Sequence, residues 1–365
     1  MPGDFENFIE KYPLFSPIIG LLLAFGVTWI GIPSVIRIAK IKNLYDLPVE
    51  RSSHEHPVPR LGGTIIFAGV ILPSVLFTSL STATELKYII AGMLVLFFIG
   101  IKDDIVSLNP LKKAIGQLIA TLIIILAGNI RIESCYGFFG RTELPWFASV
   151  ALTAIVIMTL INSINLIDGI DGLASGIGII ASVIFGILFF TNEQVSYATI
   201  CFSLAGSLMS FFYFNVLSAK NKIFLGDTGS MLIGFLLSIF IIYLIELDSP
   251  FTPSIKAYAK APALACAIVF VPVFDTIRIS IIRLINGKAI YEADHNHIHH
   301  ILLRIAGSHV KATLIILSLN LALIILVFLL KNFGNKLLIL LLIGIGIIYS
   351  VLIELLGKKC NLNSG

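Results

Sequence analysis

The chain has 365 residues, of which 57% are hydrophobic and 13% charged, and its mean hydropathy is +0.99. Soluble domains carry about 25% charged residues, so a water-soluble fold is excluded and a membrane protein is implied. The net charge of +4, with no basic run, argues against a nucleic-acid partner.

A bilayer span needs roughly 20 apolar residues. Segments of that kind fall near 14–38, 63–82, 87–102, 113–130, 146–166, 173–191, 195–216, 230–247, 261–283, 311–331 and 336–357. This predicts an all-α, polytopic bundle of about eleven spans, forming one integral domain over 1–365. The N-terminal MPGDFENFIEKYP is acidic and lacks a basic region, so it does not read as a cleaved signal peptide. Cys135, Cys201, Cys266 and Cys360 are scattered, which disfavours a disulfide framework or a zinc site.

With the N-terminus outside and the spans alternating, 17 of the 25 lysines and arginines collect on one face, which is therefore expected to be cytoplasmic. The C-terminus, with Lys358 and Lys359, falls on that face too. So do all seven histidines and Asp103, Asp104, Asp168, Asp171 and Asp227. The cytoplasmic face is the expected functional one.

Five stretches carry the chemistry. LYDLPVERSSHEHPVPRLGG (44–63) is a Pro-rich, charged loop in which Arg51, His54 and Arg60 are candidate phosphate contacts. In GIKDDIVSLNPLKKAIGQ (100–117), Asp103 and Asp104 end an apolar span, where adjacent carboxylates are costly unless a cation or proton joins them. In NSINLIDGIDGLASG (162–176), three-residue steps put Asn162, Asn165 and Asp168 on one helix face, and Asp171 is a candidate cap for the next helix. Oxygen ligands of this kind suit Mg²⁺ or Ca²⁺ rather than zinc.

FNVLSAKNKIFLGDTGSMLIGF (214–235) sets Asp227 immediately before an apolar span. It reads as an N-cap or as a metal ligand beside backbone N–H groups free for phosphate. EADHNHIHHILLRIAG (292–307) holds four histidines within six residues. If it is helical, His295 pairs with His299, and His297 with Arg304, along one face. No cysteine or glutamate stands at matching spacing, so imidazoles donating to phosphate oxygens, beside Arg278, Arg283 and Arg304, fit better than zinc. Asp275 is expected to pair with Arg278 or Arg283.

Carboxylates, amides, histidines and arginines at one membrane surface suit a metal-bridged diphosphate with a cationic rim. An ion-coupled transporter is the main rival, but its sites lie near the midplane between repeats, and no repeat is visible here.

At these five motifs, in order from about residue 44 to 307, the chain resembles the polyprenyl-phosphate N-acetylhexosamine-1-phosphate transferase family. Its members begin O-antigen, enterobacterial common antigen and teichoic acid linkage synthesis, and include the phospho-MurNAc-pentapeptide translocase of peptidoglycan. The resemblance implies ten or eleven helices around a cytoplasmic cleft in the bacterial inner membrane, with a homodimer as one assembly. The HIHH run at 297–300 resembles the GlcNAc-type branch. That implies a UDP-sugar donor, UDP-GlcNAc, a polyprenyl phosphate acceptor, undecaprenyl phosphate, release of UMP, and Mg²⁺ (or Mn²⁺) as cofactor.

By position, the resemblance gives catalytic roles to Asp103 and Asp104, on the lipid phosphate, and to Asp168 and Asp171, near the nucleotide. It places Asn165 and Asp227 at the metal and diphosphate, and Lys113 at the acceptor phosphate. Asn215 falls in the cleft, and His297, His299 and His300 at phosphate or sugar. One departure is ERSSH, where Ser52 stands in place of a frequent lysine and resembles members that use modified sugars, so another UDP-N-acetyl sugar is the alternative donor.

Overall fold

The computed structural model describes residues 11–42, 44, 58–78, 84–134, 143–218, 220–247, 261–287 and 297–363. Arg51, Ser52, His54 and His295 lie outside these residues. The described helices are α1 (Phe15–Lys42), α2 (Gly62–Phe77), α3 (Leu86–Ile105), α4 (Pro110–Leu122), α5 (Trp146–Ile167), α6 (Leu173–Thr191), α7 (Val195–Phe212), α8 (Gly226–Leu247), α9 (Ala261–Ile268), α10 (Phe270–Ile285), α11 (Ile298–Ala306), α12 (His309–Leu329) and α13 (Asn335–Asn363). α4 and α7 run on into π-helical turns, Ile123–Ala127 and Tyr213–Leu217. Among the described residues there is no sheet, only an isolated bridge between Ser134 and Glu143.

A chain in hydrocarbon must satisfy its backbone within each segment, which is why the apolar runs become helices. Among the described residues, eight helices are long and apolar enough to cross a membrane, and nine if the bent pair α9–α10 counts as one span. Each expected apolar segment coincides with a helix or that bent pair, but α2 is short and α3 ends in Lys102, Asp103 and Asp104. α11 was not among the expected spans. Large side chains such as Ile30, Phe147 and Leu329 are at least 75% exposed, as a lipid-facing surface requires.

The segment expected as one span over 261–283 is broken at Val269, with a bend of 76°. The cause is Pro272, which has no N–H to give the carbonyl of Ile268. Asn320 Nδ2 on α12 takes that carbonyl at 3.0 Å, so the break leaves no orphan acceptor there.

α8 is the central post, packed against α2, α3, α5 and α6. Apolar burial cannot distinguish protein from lipid, so close approach of small residues sets these crossings. A Cβ on Gly63 would lie 2.1 Å from the backbone nitrogen of Gly229, and one on Gly100 would lie 2.4 Å from Thr228 Cα. The backbone N–H groups of Gly62 and Gly63 donate to Phe224 O (3.0 Å) and Leu225 O (2.9 Å), and Phe224 N donates to Pro59 O (2.8 Å). This strap ties the end of the first loop to the start of α8.

Gly63→Ala is expected to lower the melting temperature of the detergent-solubilised protein, since the new methyl meets backbone that cannot step aside. Overpacking of this kind costs roughly 1–3 kcal/mol. Gly344→Ala, with nothing within 4 Å of its new Cβ, is expected to unfold at or slightly above the original temperature.

Candidate active site

The chemistry-bearing residues meet at one end of the bundle, where α3 and α5 finish and α4 and α8 begin. Gly226 adopts φ +74°, a left-handed turn that only glycine takes freely. It delivers Asp227 into the first turn of α8. There Asn165 Nδ2, from the last turn of α5, donates to Asp227 Oδ1 at 2.5 Å and to Ser230 Oγ at 2.8 Å. Asn165 and Asp227, 62 residues apart in the chain, are thus in direct contact.

Lys113 enters from α4, which starts in register because Asn109 caps it through Leu111 N and Pro110 holds its first position. Its ammonium pairs with Asp227 Oδ1, lies 3.1 Å from Asp103 Oδ2, and donates to Asn165 Oδ1 at 3.4 Å. Asp103 Oδ1 accepts the N–H of Leu108 at 2.6 Å, which folds the α3–α4 turn onto the carboxylate. One cation thus sits among oxygens from three other helices.

Asp104 has a different employment. Its Oδ1 accepts the N–H of Asp227 (2.6 Å), and its Oδ2 accepts Thr228 N (3.2 Å) and Thr228 Oγ1 (2.6 Å). The cap of α8 is therefore supplied by another helix. This corrects two readings: Asp227 is not the N-cap, and the N–H groups of Asp227 and Thr228 are not free for phosphate.

Asp168 follows the last residue of α5; its backbone N–H donates to Asn165 O at 3.4 Å, and its side chain makes no hydrogen bond among the described residues. Burial, together with the nearby charges of Asp227, Asp104 and Asp171, pushes its carboxyl well above the ordinary aspartate range, and Arg60 offsets this in part. Asp171 does not cap α6; Gly172 holds that position. Its carboxylate pairs with Lys222 at 2.6 Å, with His309 Nδ1 at 3.7 Å. Its carbonyl accepts Thr313 Oγ1 at 2.8 Å, which anchors the turn to α12.

Two asparagines serve the framework. Asn215, in the π-turn after α7, accepts Gly172 N at 2.7 Å and donates to Ile223 O at 2.9 Å, so it bridges the 168–172 turn to the strand-like approach to α8. Asn162 lies one turn before Asn165 and exchanges hydrogen bonds with Gln117 at 3.1 and 3.4 Å.

The histidine motif divides. His297 and His299 are buried against Asp275, and His300 reaches the 168–172 turn, its Cε1 lying 3.2 Å from where a Cβ on Gly169 would stand. Asp275 was expected to pair with Arg278 or Arg283. It does pair with Arg278, at 3.7 Å, and it also accepts from the two histidines, while Arg278 pairs with Glu354 as well. His297 has extended backbone and caps α11, so the expected helical pairing with Arg304 does not form, and Arg304 is exposed.

Sequence reasoning missed Lys222, Ser230, Gln117 and His309. Each is an ordinary polar residue whose partner is far away in the chain. At this junction the carboxylates of Asp103 and Asp227 and the amide of Asn165 offer hard oxygen donors. The Lys113 ammonium held among these oxygens marks a place built for positive charge. The donor set fits Mg²⁺.

The described glycosyl transferase family 4 matches residues 86–245 of this chain. The chain is 31% identical over 300 residues to the probable undecaprenyl-phosphate N-acetylglucosaminyl 1-phosphate transferase of Bacillus subtilis, covering 82% of this chain and 79% of that protein. It is 28% identical over 293 residues to the undecaprenyl-phosphate alpha-N-acetylglucosaminyl 1-phosphate transferase of Escherichia coli, covering 79% and 76%. Against the decaprenyl-phosphate N-acetylglucosaminephosphotransferase of Mycobacterium leprae, identity is 32% over 290 residues, covering 74% and 72%. The matched family region spans α3 to α8 and holds Asp103, Lys113, Asn165, Asp168 and Asp227.

Because folding raises the Asp168 pKa above the ordinary 3.8, the charged form destabilises the fold. The penalty is absent below about pH 4 and grows as pH rises through the elevated value. Asp168→Asn is therefore expected to melt at the same temperature as the parent near pH 4 and at a higher one near pH 8, in metal-free detergent solution. Thermal unfolding over a pH series checks this.

Proposed function

The chain belongs to glycosyl transferase family 4, among the polyprenyl-phosphate N-acetylhexosamine-1-phosphate transferases, and from that membership we propose that it transfers N-acetylglucosamine 1-phosphate from UDP-N-acetylglucosamine to undecaprenyl phosphate, releasing UMP. The observation that carries the reading is the junction of Lys113, Asp103, Asn165 and Asp227, drawn from four helices to one end of a multi-pass bundle. The names of the relatives in B. subtilis and E. coli support the sugar and the lipid. The excess of lysine and arginine on that end supports a cytoplasmic orientation, where a nucleotide sugar is available. Transport is disfavoured, because the acids sit at helix ends on one face rather than midway along the spans.

An oxygen of the lipid phosphate attacks the β-phosphorus of the donor. The bond from that phosphorus to the bridging oxygen breaks, and UMP leaves with the bridging oxygen. Asn165 and Asp227 would hold Mg²⁺, which when bound offsets the charge of the diphosphate. Lys113 holds the acceptor phosphate close to Asp103, and Asp103 takes any proton left on it. Asp104 keeps Asp227 in place by capping α8. Water exclusion and fixed geometry supply the rest, since phosphoryl transfer asks mainly for positioning and charge.

Asp227→Asn is expected to cut Mg²⁺-dependent UMP release at least ~100-fold, the scale of a lost transition-state electrostatic contact, with the melting profile of a folded protein. Full activity in that variant removes Asp227 from the metal site. A donor panel tests the substrate: purified protein, undecaprenyl phosphate, Mg²⁺ and several UDP-sugars, with lipid products weighed by mass spectrometry. A product from UDP-N-acetylglucosamine alone is expected. Product only from a different UDP-N-acetyl sugar would reassign the donor, and none from any would overturn the reaction.

A further inference from the structure

α10 and α11 meet through one buried carboxylate. Asp275 accepts His299 Nδ1 at 2.9 Å and the backbone N–H of Ile298 at 3.0 Å, with His297 Nδ1 at 3.3 Å. Both histidines and the aspartate are 3% exposed or less. A carboxylate only accepts, so each Nδ1 facing it carries the hydrogen, and in the neutral rings Nε2 is left as a lone pair. The Nε2 of His299 is buried and has no hydrogen-bond partner among the described residues. An unmet buried polar atom costs about 1–3 kcal/mol and asks for an explanation. The neighbouring ring explains its direction of use: His300 lies 4.3 Å from His299, centroid to centroid, and borders the Asp168–Gly169 turn of the cleft.

We propose that Asp275 is a positioning residue for the transfer, acting through the Nδ1 hydrogens of His297 and His299 to fix both rings and the first turn of α11, and so to set His299 Nε2 and His300 against the donor. The Nε2 held this way is an acceptor, so its partner is an O–H or N–H of the sugar rather than a bare phosphate oxygen. The cap to Ile298 N adds rigidity, since it satisfies an N–H of the first turn that has no partner within the helix. The same oxygen and two nitrogens lie within 4.8 Å of one another, a spacing that a metal ion also uses. Hydrogen bonds already account for them, and Arg278 Nη1, 3.7 Å from Asp275 Oδ1, opposes a second cation.

The inference rests on the transfer reading for its kinetic arm only. Asp275→Asn keeps an oxygen for Ile298 N but presents an NH₂ where the second oxygen stood. Its kcat is expected to fall roughly 10–100-fold, the usual effect of losing a carboxylate behind a working histidine, while KM for UDP-N-acetylglucosamine and the melting temperature stay near the parent values. Asp275→Glu is expected to recover part of kcat. The second arm needs no activity: nitrogen NMR of full-length ¹⁵N-histidine-labelled protein in nanodiscs should show two Nδ1–H rings that the Asn variant loses. Parent kcat in the Asn variant, a parent protein without those two Nδ1–H rings, or one zinc per chain by elemental analysis would each overturn the proposal. If the parent releases no UMP yet shows both rings, the transfer reading fails and the positioning of the histidines stands.

Discussion

Carboxylates gathered at helix ends beside lipid raise their own pKa and oppose the fold unless something positive meets them. Every structural choice at this end of the bundle answers that demand. Asp104 is met by the N-terminus of α8, whose aligned peptide dipoles place partial positive charge there. Asp103 and Asp227 share the ammonium of Lys113, and Asp171 has Lys222. The Asp168 side chain makes no hydrogen bond among the described residues, and only the charge of Arg60 offsets its burial. In the proposed transfer, a metal-bound diphosphate would bring a further cation to this end of the bundle. A polar site that is incomplete without its ligand binds the ligand at the expense of its own resting stability.

The same device anchors two helices. α8 and α11 both begin without a local side-chain cap, and each receives a carboxylate from an earlier helix: Asp104 from α3 and Asp275 from α10. A cap delivered from afar does two things at once. It satisfies an N–H of the first turn and it fixes how two helices meet. Glycines make that meeting close enough, since Gly63 and Gly100 bring α2 and α3 onto the first turn of α8 with no room for a methyl group. Asp227 is consequently held by its neighbours on three sides before any substrate arrives.

The apolar runs were legible because burial in lipid and burial in protein demand the same residues, so each expected segment became a helix. The pairing of Asn165 with Asp227 was legible for a different reason. An asparagine at the edge of an apolar span has no cheap structural explanation, and the alternation of the spans puts it at the same membrane face as Asp227. What stayed hidden was who caps whom. Asp275 stands three residues from Arg278 on the same helix, a spacing that reads as a local ion pair. In the fold that pair forms at 3.7 Å, but Arg278 is shared with Glu354 on α13, and Asp275 also takes the histidines and the first turn of α11, which the spacing does not report. The bend at Val269 was in principle readable from Pro272, but apolarity alone does not report a missing N–H.

Adjacent aspartates on a helix point about 100° apart, so they cannot do the same work. Here the division is physical. Both oxygens of Asp104 are taken by three donors of α8, and removing a proton from a substrate would require breaking that cap. Asp103 has one oxygen on Leu108 N and the other on the Lys113 ammonium, which it shares with Asp227. In the proposed transfer, proton chemistry therefore falls to Asp103, and Asp104 acts through the position of Asp227. Two neighbouring carboxylates of identical chemistry acquire separate roles because the helix turns between them.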